Sequence, residues 1–97
     1  SNSKDGFMNK STDDLGVISA LLKRFEEQRL PHARYLQERV MQGEKLNESD
    51  IAFLEDILAT AQDIQPLINR HPEYEKLLNQ MVSLYKEITD KALENEQ

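Results

Sequence analysis

Apolar residues recur at intervals of three and four through residues 15–40, which is the period of a helix with one buried face. At about 100° per residue, one face collects Leu15, Ile18, Leu22, Ala33, Leu36 and Val40. Pro31 interrupts this run, and a proline normally ends a helix. Two independent helices would have no reason to keep one phase across it. The pattern therefore predicts one helix, A, over about residues 12 to 42, kinked at Pro31, and the alternative is two helices meeting there.

Two further helical segments follow. Helix B is predicted from the end of GEKLN to about Asn69, with apolar positions over roughly 200° of its surface, wider than the ~100° stripe of a surface helix. It is therefore the central helix. Helix C begins near Pro72, which suits the first position of a helix. Its single apolar face carries Tyr74, Leu77, Leu78, Met81, Leu84, Tyr85, Ile88 and Ala92.

The short connections between these segments require neighbouring helices to run antiparallel. We therefore predict an all-α, up-down-up bundle of three helices, or of four if the chain breaks at Pro31. Residues 11–97 form the single bundle domain, with Ser11 or Thr12 as the first N-cap. Residues 1–10 are polar and lack a period, so we predict a flexible arm or a remnant of a tag.

The acidic stretch GEKLNESD, residues 43–50, could be a cation-binding loop or the punctuation between two helices. A calcium loop of the hand type needs glycine at its sixth position and twelve residues of loop. Here the glycine comes first and helix B begins about four residues later. We therefore predict Gly43 as the left-handed residue that ends helix A, and Asn47 and Asp50 as the capping box of helix B.

Unequal helix lengths predict an exposed apolar surface. Helix A has about 31 residues (~46 Å), and helices B and C about 23 each (~35 Å). If position i of helix A faces about position 90 − i of helix B, the N-terminal end of helix A overhangs by roughly 12 Å. Exposed apolar rows of this kind usually mark an interface. We therefore predict a homodimer, with an interface built from Leu15, Val17, Ile18 and Leu21.

The most unusual polar positions surround Pro31. Arg29 lies in the centre of the apolar stripe, with His32 and Arg39 at its edge. A buried arginine is costly unless it is paired. One prediction is a pocket that binds an anionic group through Arg29, His32 and Arg39, and the alternative is that Arg29 reaches the rim or forms an ion pair. The other histidine, His71, should face the region of residue 19, too far from His32 to share a metal ion.

The composition and charge of the chain exclude several classes of function. The chain has 97 residues, no Cys and a net charge of −6, so disulfides and thiol chemistry are excluded and nucleic acids and anionic lipids are disfavoured partners. No motif for a metal, a cofactor or a catalytic group is found. We expect a cytoplasmic, non-catalytic, self-associating module that binds an unidentified protein partner. The alternative is a small anionic-ligand-binding protein that uses the pocket near Arg29 and His32.

Overall fold

The computed structural model describes the backbone of residues 2–97 and the side chains of residues 13–97. No β-strand occurs in residues 2–97, so the predicted all-α class is confirmed. The elements in chain order are α1 (Asn2–Arg24), a π-helical segment (Phe25–Arg29), α2 (Leu30–Met41), α3 (Glu48–Arg70), a 3₁₀ turn (Pro72–Tyr74) and α4 (Glu75–Glu96). Together they form a bundle of three helices, 61 by 19 by 19 Å.

The chain remains helical across Pro31, so residues 2–41 form one long first helix. A proline ring collides with the carbonyl four residues earlier, which here belongs to Glu27. The helix is wider at that point, because Leu30 donates its backbone N–H to the carbonyl of Phe25, five residues back. The backbone thus accommodates Pro31 without ending the helix.

The start of this helix differs from the sequence prediction. It begins at Asn2, ahead of the caps predicted at Ser11 and Thr12. The side chains of residues 1–10 lie outside the described residues, so the predicted arm stays a prediction.

The core runs the length of the bundle and receives side chains from every helix. Ile18, Leu36, Ile64 and Ile88 are completely buried, and each lies on an apolar face predicted from the spacing. Helix α3 packs against both α1 and α4, as predicted for the central helix, and α4 also packs against α2. The central position of α3 follows from its wide apolar surface.

The turn between α2 and α3 has the predicted chemistry. Gly43 has a φ of 94°, and the N–H groups of Gly43 and Glu44 bond the carbonyls of Val40 and Arg39 at 3.0 and 3.1 Å. These two bonds are the Schellman pattern of a helix C-terminus. The Asn47 side chain accepts from the Asp50 N–H at 2.8 Å, and Asp50 Oδ2 accepts from the Asn47 N–H at 3.0 Å, which completes the capping box.

Candidate functional site

Arg29 is paired within the chain. Its side chain is 13% exposed, and its Nη2 lies 2.6 Å from Asp56 Oδ2 on α3. Its Nη1 donates to Thr60 Oγ1 at 2.6 Å, and that hydroxyl donates to the carbonyl of Asp56 at 3.0 Å. Both partners lie on α3, one turn apart, so the guanidinium spans two successive turns of the central helix. Arg29 therefore joins the first helix to α3, which is the ion-pair alternative considered for it.

His32 and Arg39 do not join Arg29 in one pocket. His32 is exposed, and its ring meets the edge of Phe53 with 4.3 Å between centroids. Arg39 donates to Glu44 Oε1 at 3.2 Å and to Asp50 Oδ2 at 3.3 Å, and its guanidinium lies 5.6 Å from the Tyr35 ring. The hydrogen bond to Glu44 is the main reason that the pKa of Arg39 is raised. His32 and Arg39 share Tyr35 as a neighbour, with the His32 ring 6.1 Å from it, whereas the polar partners of Arg29 are Asp56 and Thr60.

The contacts of Arg29 and Arg39 also test the predicted register. Arg29 meets Thr60 and Arg39 meets Asp50. Both pairs lie within one residue of the rule that position i faces 90 − i. The predicted register therefore holds for Arg29 and Arg39, but it fails for α1, because Arg70 meets Asp14, six residues from the position that the rule gives.

A second polar cluster joins α1 to the end of α3. The Asp14 carboxylate is buried and accepts two hydrogen bonds from Arg70, Nε to Oδ2 at 2.6 Å and Nη2 to Oδ1 at 2.9 Å. The first of these bonds holds the pKa of Asp14 below its ordinary value although burial acts in the opposite direction, and it raises the pKa of Arg70. The arrangement is a bidentate clamp between two helices.

His71 lies beside this clamp. It is buried, with its Nε2 3.5 Å from Asp14 Oδ2 and without a hydrogen-bond partner among the described side chains. Its Nδ1 lies 3.9 Å from Glu73 Oε2, and its backbone N–H closes the end of α3 by bonding the carbonyl of Ile68. His71 lies at the entry to the last helix and beside Asp14, and not beside residue 19, where it was predicted.

The turn between α2 and α3 is also held by the far end of the chain. Asn95, in the last turn of α4, donates from Nδ2 to the carbonyls of Val40 and Glu44 at 2.8 and 2.9 Å. Nothing in the sequence pattern of α4 indicates this contact, because Asn95 is a polar residue near a helix end. It shows that α4 runs parallel to the first helix and ends beside the α2–α3 turn.

The predicted interface residues separate into two groups. Leu15 and Val17 are 38% and 46% exposed, as expected for a free surface. Ile18 is completely buried, and Leu21 is half-buried against the core. The expectation that Ile18 is exposed is therefore wrong. Helix α3 extends to Arg70, which reaches Asp14, and the turn that contains Ile18 lies inside the bundle.

A groove opens between the first helix and α4, and the sequence did not indicate it. It has a volume of about 540 Å³. Six apolar side chains line it: Leu22, Phe25, Leu30, Leu77, Met81 and Leu84. Four exposed charged residues stand around them: Glu26 and Arg34 on the first helix, and Lys76 and Glu87 on α4. The groove includes Phe25, the first residue of the π-helical segment. Before this segment the first helix packs on α3, and after it the first helix packs on α4.

Similarity to known proteins does not identify a function for this chain. No known family model, curated protein or solved structure matches this chain at a significant level. Within the described part of the chain, no three acidic, histidine or cysteine side chains converge to hold a metal ion. No helix among residues 2–97 combines the length and the apolarity that crossing a bilayer requires.

Proposed function

We propose that this chain is a non-catalytic helical module that self-associates and binds protein through the groove between its first helix and α4. The observation that carries the proposal is the set of six apolar side chains in this groove, which polar residues line otherwise. Phe25 and Met81 form its buried floor, and Leu77, 37% exposed, stands on its α4 wall. Open grooves with apolar floors are typical surfaces for receiving an amphipathic helix.

The predicted kink in the first helix would account for the groove. The wide π-helical turn at Phe25–Arg29 lies between α1 and α2, and Pro31 is the second residue of α2. Sharp bends in helices occur at such sites. A bend here would turn α1 toward α3 and away from α4, and would leave the groove between them.

Exposed apolar residues beyond the groove support the same role. Leu15 precedes Leu22 by seven residues, and this spacing places both on one side of α1. Leu15 is 38% exposed and extends the apolar wall by two turns. The predicted dimer surface at the N-terminal end of the first helix is therefore continuous with the groove.

The alternative function, an anionic-ligand pocket, has less support. An anion at Arg29 would have to displace the Asp56 carboxylate, which lies 2.6 Å from the guanidinium. An anion at Arg39 would compete with both Glu44 and Asp50. The net charge of −6 further disfavours anionic partners, including nucleic acids and acidic membrane surfaces.

Sedimentation equilibrium of the purified chain over a wide range of concentration tests the proposal. We expect a reversible dimer whose fraction rises with concentration. A monomer mass at every concentration would refute self-association. A comparison of Leu77→Glu with Val82→Glu then tests the groove, because both residues are on α4 and are 37% and 39% exposed, but only Leu77 lines the groove.

A further inference from the structure

The charges around the groove form an alternating pattern. On the first helix the acid Glu26 precedes the base Arg34, and on α4 the base Lys76 precedes the acid Glu87. Because the two helices run parallel, Glu26 and Lys76 lie toward one end of the groove, and Arg34 and Glu87 toward the other. Each wall thus carries opposite charges at its two ends, and each end carries opposite charges on its two walls.

These four charges are neutral as a set, although the chain carries −6. None of them forms an ion pair within residues 13–97, so all four are available to a partner. A strongly basic or strongly acidic segment would meet two like charges among the four. A partner with the same alternating pattern, turned by a half rotation, would meet only opposite charges.

We infer that the occupant of the groove is the groove of a second copy of this chain, related by a two-fold axis. This inference rests on the proposed function and names its partner. An isologous interface must be self-complementary, and the four charges of this surface meet that condition. The apolar residues of the two grooves then form one shared core, and the charged residues form its polar rim.

Two directions of the axis satisfy the charges. With the axis along the helices, the first helix lies against α4 of the second copy, so Glu26 meets the second copy's Lys76 and Arg34 meets its Glu87. With the axis across the helices, the first helix lies antiparallel to its copy, so Glu26 meets the second copy's Arg34 and Lys76 meets its Glu87. A half rotation therefore pairs opposite charges in both cases.

Charge reversal tests the inference. Glu26→Lys alone places like charges together at two symmetry-related points in either arrangement. We expect the dimer dissociation constant to rise about tenfold. Each like-charge contact between exposed groups costs little, but the two-fold axis repeats the contact, so the cost is counted twice. Glu55→Lys makes the same change of charge on an exposed α3 residue outside the groove, and should leave the constant unchanged. Circular dichroism checks that each variant keeps its helix content.

Two double variants complete the test. Glu26→Lys with Lys76→Glu restores opposite charges only if the axis runs along the helices, and Glu26→Lys with Arg34→Glu restores them only if it runs across. Recovery of the wild-type constant in one of the two supports the inference and identifies the axis. An unaffected single variant, or recovery in neither double variant, overturns it. If the wild-type chain is a monomer, the proposed self-association itself fails, whereas a wild-type dimer insensitive to these charges refutes only the two-fold groove contact.

Discussion

The ion pair between Arg29 and Asp56 should stabilise the fold far more than an exposed pair of similar chemistry. The chain offers a matched control in Lys86 and Asp90. The two carboxylates are almost equally exposed, Asp56 at 55% and Asp90 at 58%, but Arg29 is 13% exposed and Lys86 is 73% exposed. The two pairs therefore share a half-exposed carboxylate and differ in the cation, which is a largely buried arginine on another helix in one pair and an exposed lysine one turn away in the other.

Asp56→Ala leaves the largely buried guanidinium of Arg29 with one remaining bond, to Thr60 Oγ1. A hydrogen bond to a charged group contributes about 1.5–3 kcal/mol, and a stranded buried charge costs about 3–5 kcal/mol. Because Arg29 keeps the Thr60 bond and some contact with water, we expect a loss of about 2 kcal/mol in the free energy of unfolding. Asp90→Ala removes a pair between solvated groups and should change stability by less than about 0.5 kcal/mol.

The ion pair can also be tested by replacing its cation, Arg29, instead of its carboxylate. Arg29→Met keeps the apolar stem of the side chain and leaves Asp56, which is already half-exposed to water. Its cost should be about 1 kcal/mol, less than that of Asp56→Ala. Urea unfolding followed by circular dichroism, at one protein concentration because association would shift the midpoint, measures all three variants. A loss for Asp56→Ala no larger than that for Asp90→Ala would refute this reasoning.

Three further predictions concern other parts of the structure. Asn47→Ala removes the cap of α3 and should cost about 1 kcal/mol in the same unfolding assay; an unchanged midpoint would contradict the capping role. The pKa of Asp14 is lowered in the folded chain, so its stabilisation is complete above the ordinary value of 3.8 and is lost as the pH falls through the lower, folded pKa. The difference in unfolding free energy between the wild type and Asp14→Asn should therefore be constant well above pH 3.8 and should shrink as the pH falls through and below that value. Unfolding curves measured across this range test the prediction, and a difference that already declines at neutral pH would contradict it. Leu77→Glu should raise the dimer dissociation constant at least tenfold, as one buried apolar side chain contributes about 1.5–3 kcal/mol, whereas Val82→Glu should not; equal effects in sedimentation would remove the groove from the interface.

Local signals predicted the fold correctly where backbone geometry is regular. The turn at Gly43 and the capping box of Asn47 and Asp50 were readable because each depends on a few consecutive residues. The position of α3 between its neighbours was readable from its wide apolar surface. The fully buried positions Leu36 and Ile88 likewise follow from spacing alone.

The candidate site was less predictable, because it depends on contacts between distant segments. Arg29 was correctly identified as a buried cation in need of a partner, but the partner, Asp56, is one of 18 acidic residues and has no distinguishing local pattern. Burial of Asp14 was missed because constant α-helical phase places Leu15 on the buried face. The groove was missed because apolar spacing identifies a buried face but not where two helices diverge.

The π-helical segment has a consequence for changes in chain length. A wide turn accommodates one residue more than a regular turn, so deletion of one residue within Phe25–Arg29 would restore α-helical geometry there. Five residues of a π turn cover about the same rotation as four residues of an α-helix, so every residue upstream would keep its present phase relative to α2. Asp14 would stay beside Arg70, and Leu15 would stay partly exposed. The segment thus sets the rotational phase between the two halves of the first helix. A single deletion in it would therefore keep the clamp between Asp14 and Arg70, whereas regular α-helical geometry over the same five residues would rotate α1 by about 100° and carry Leu15 toward the place of Asp14.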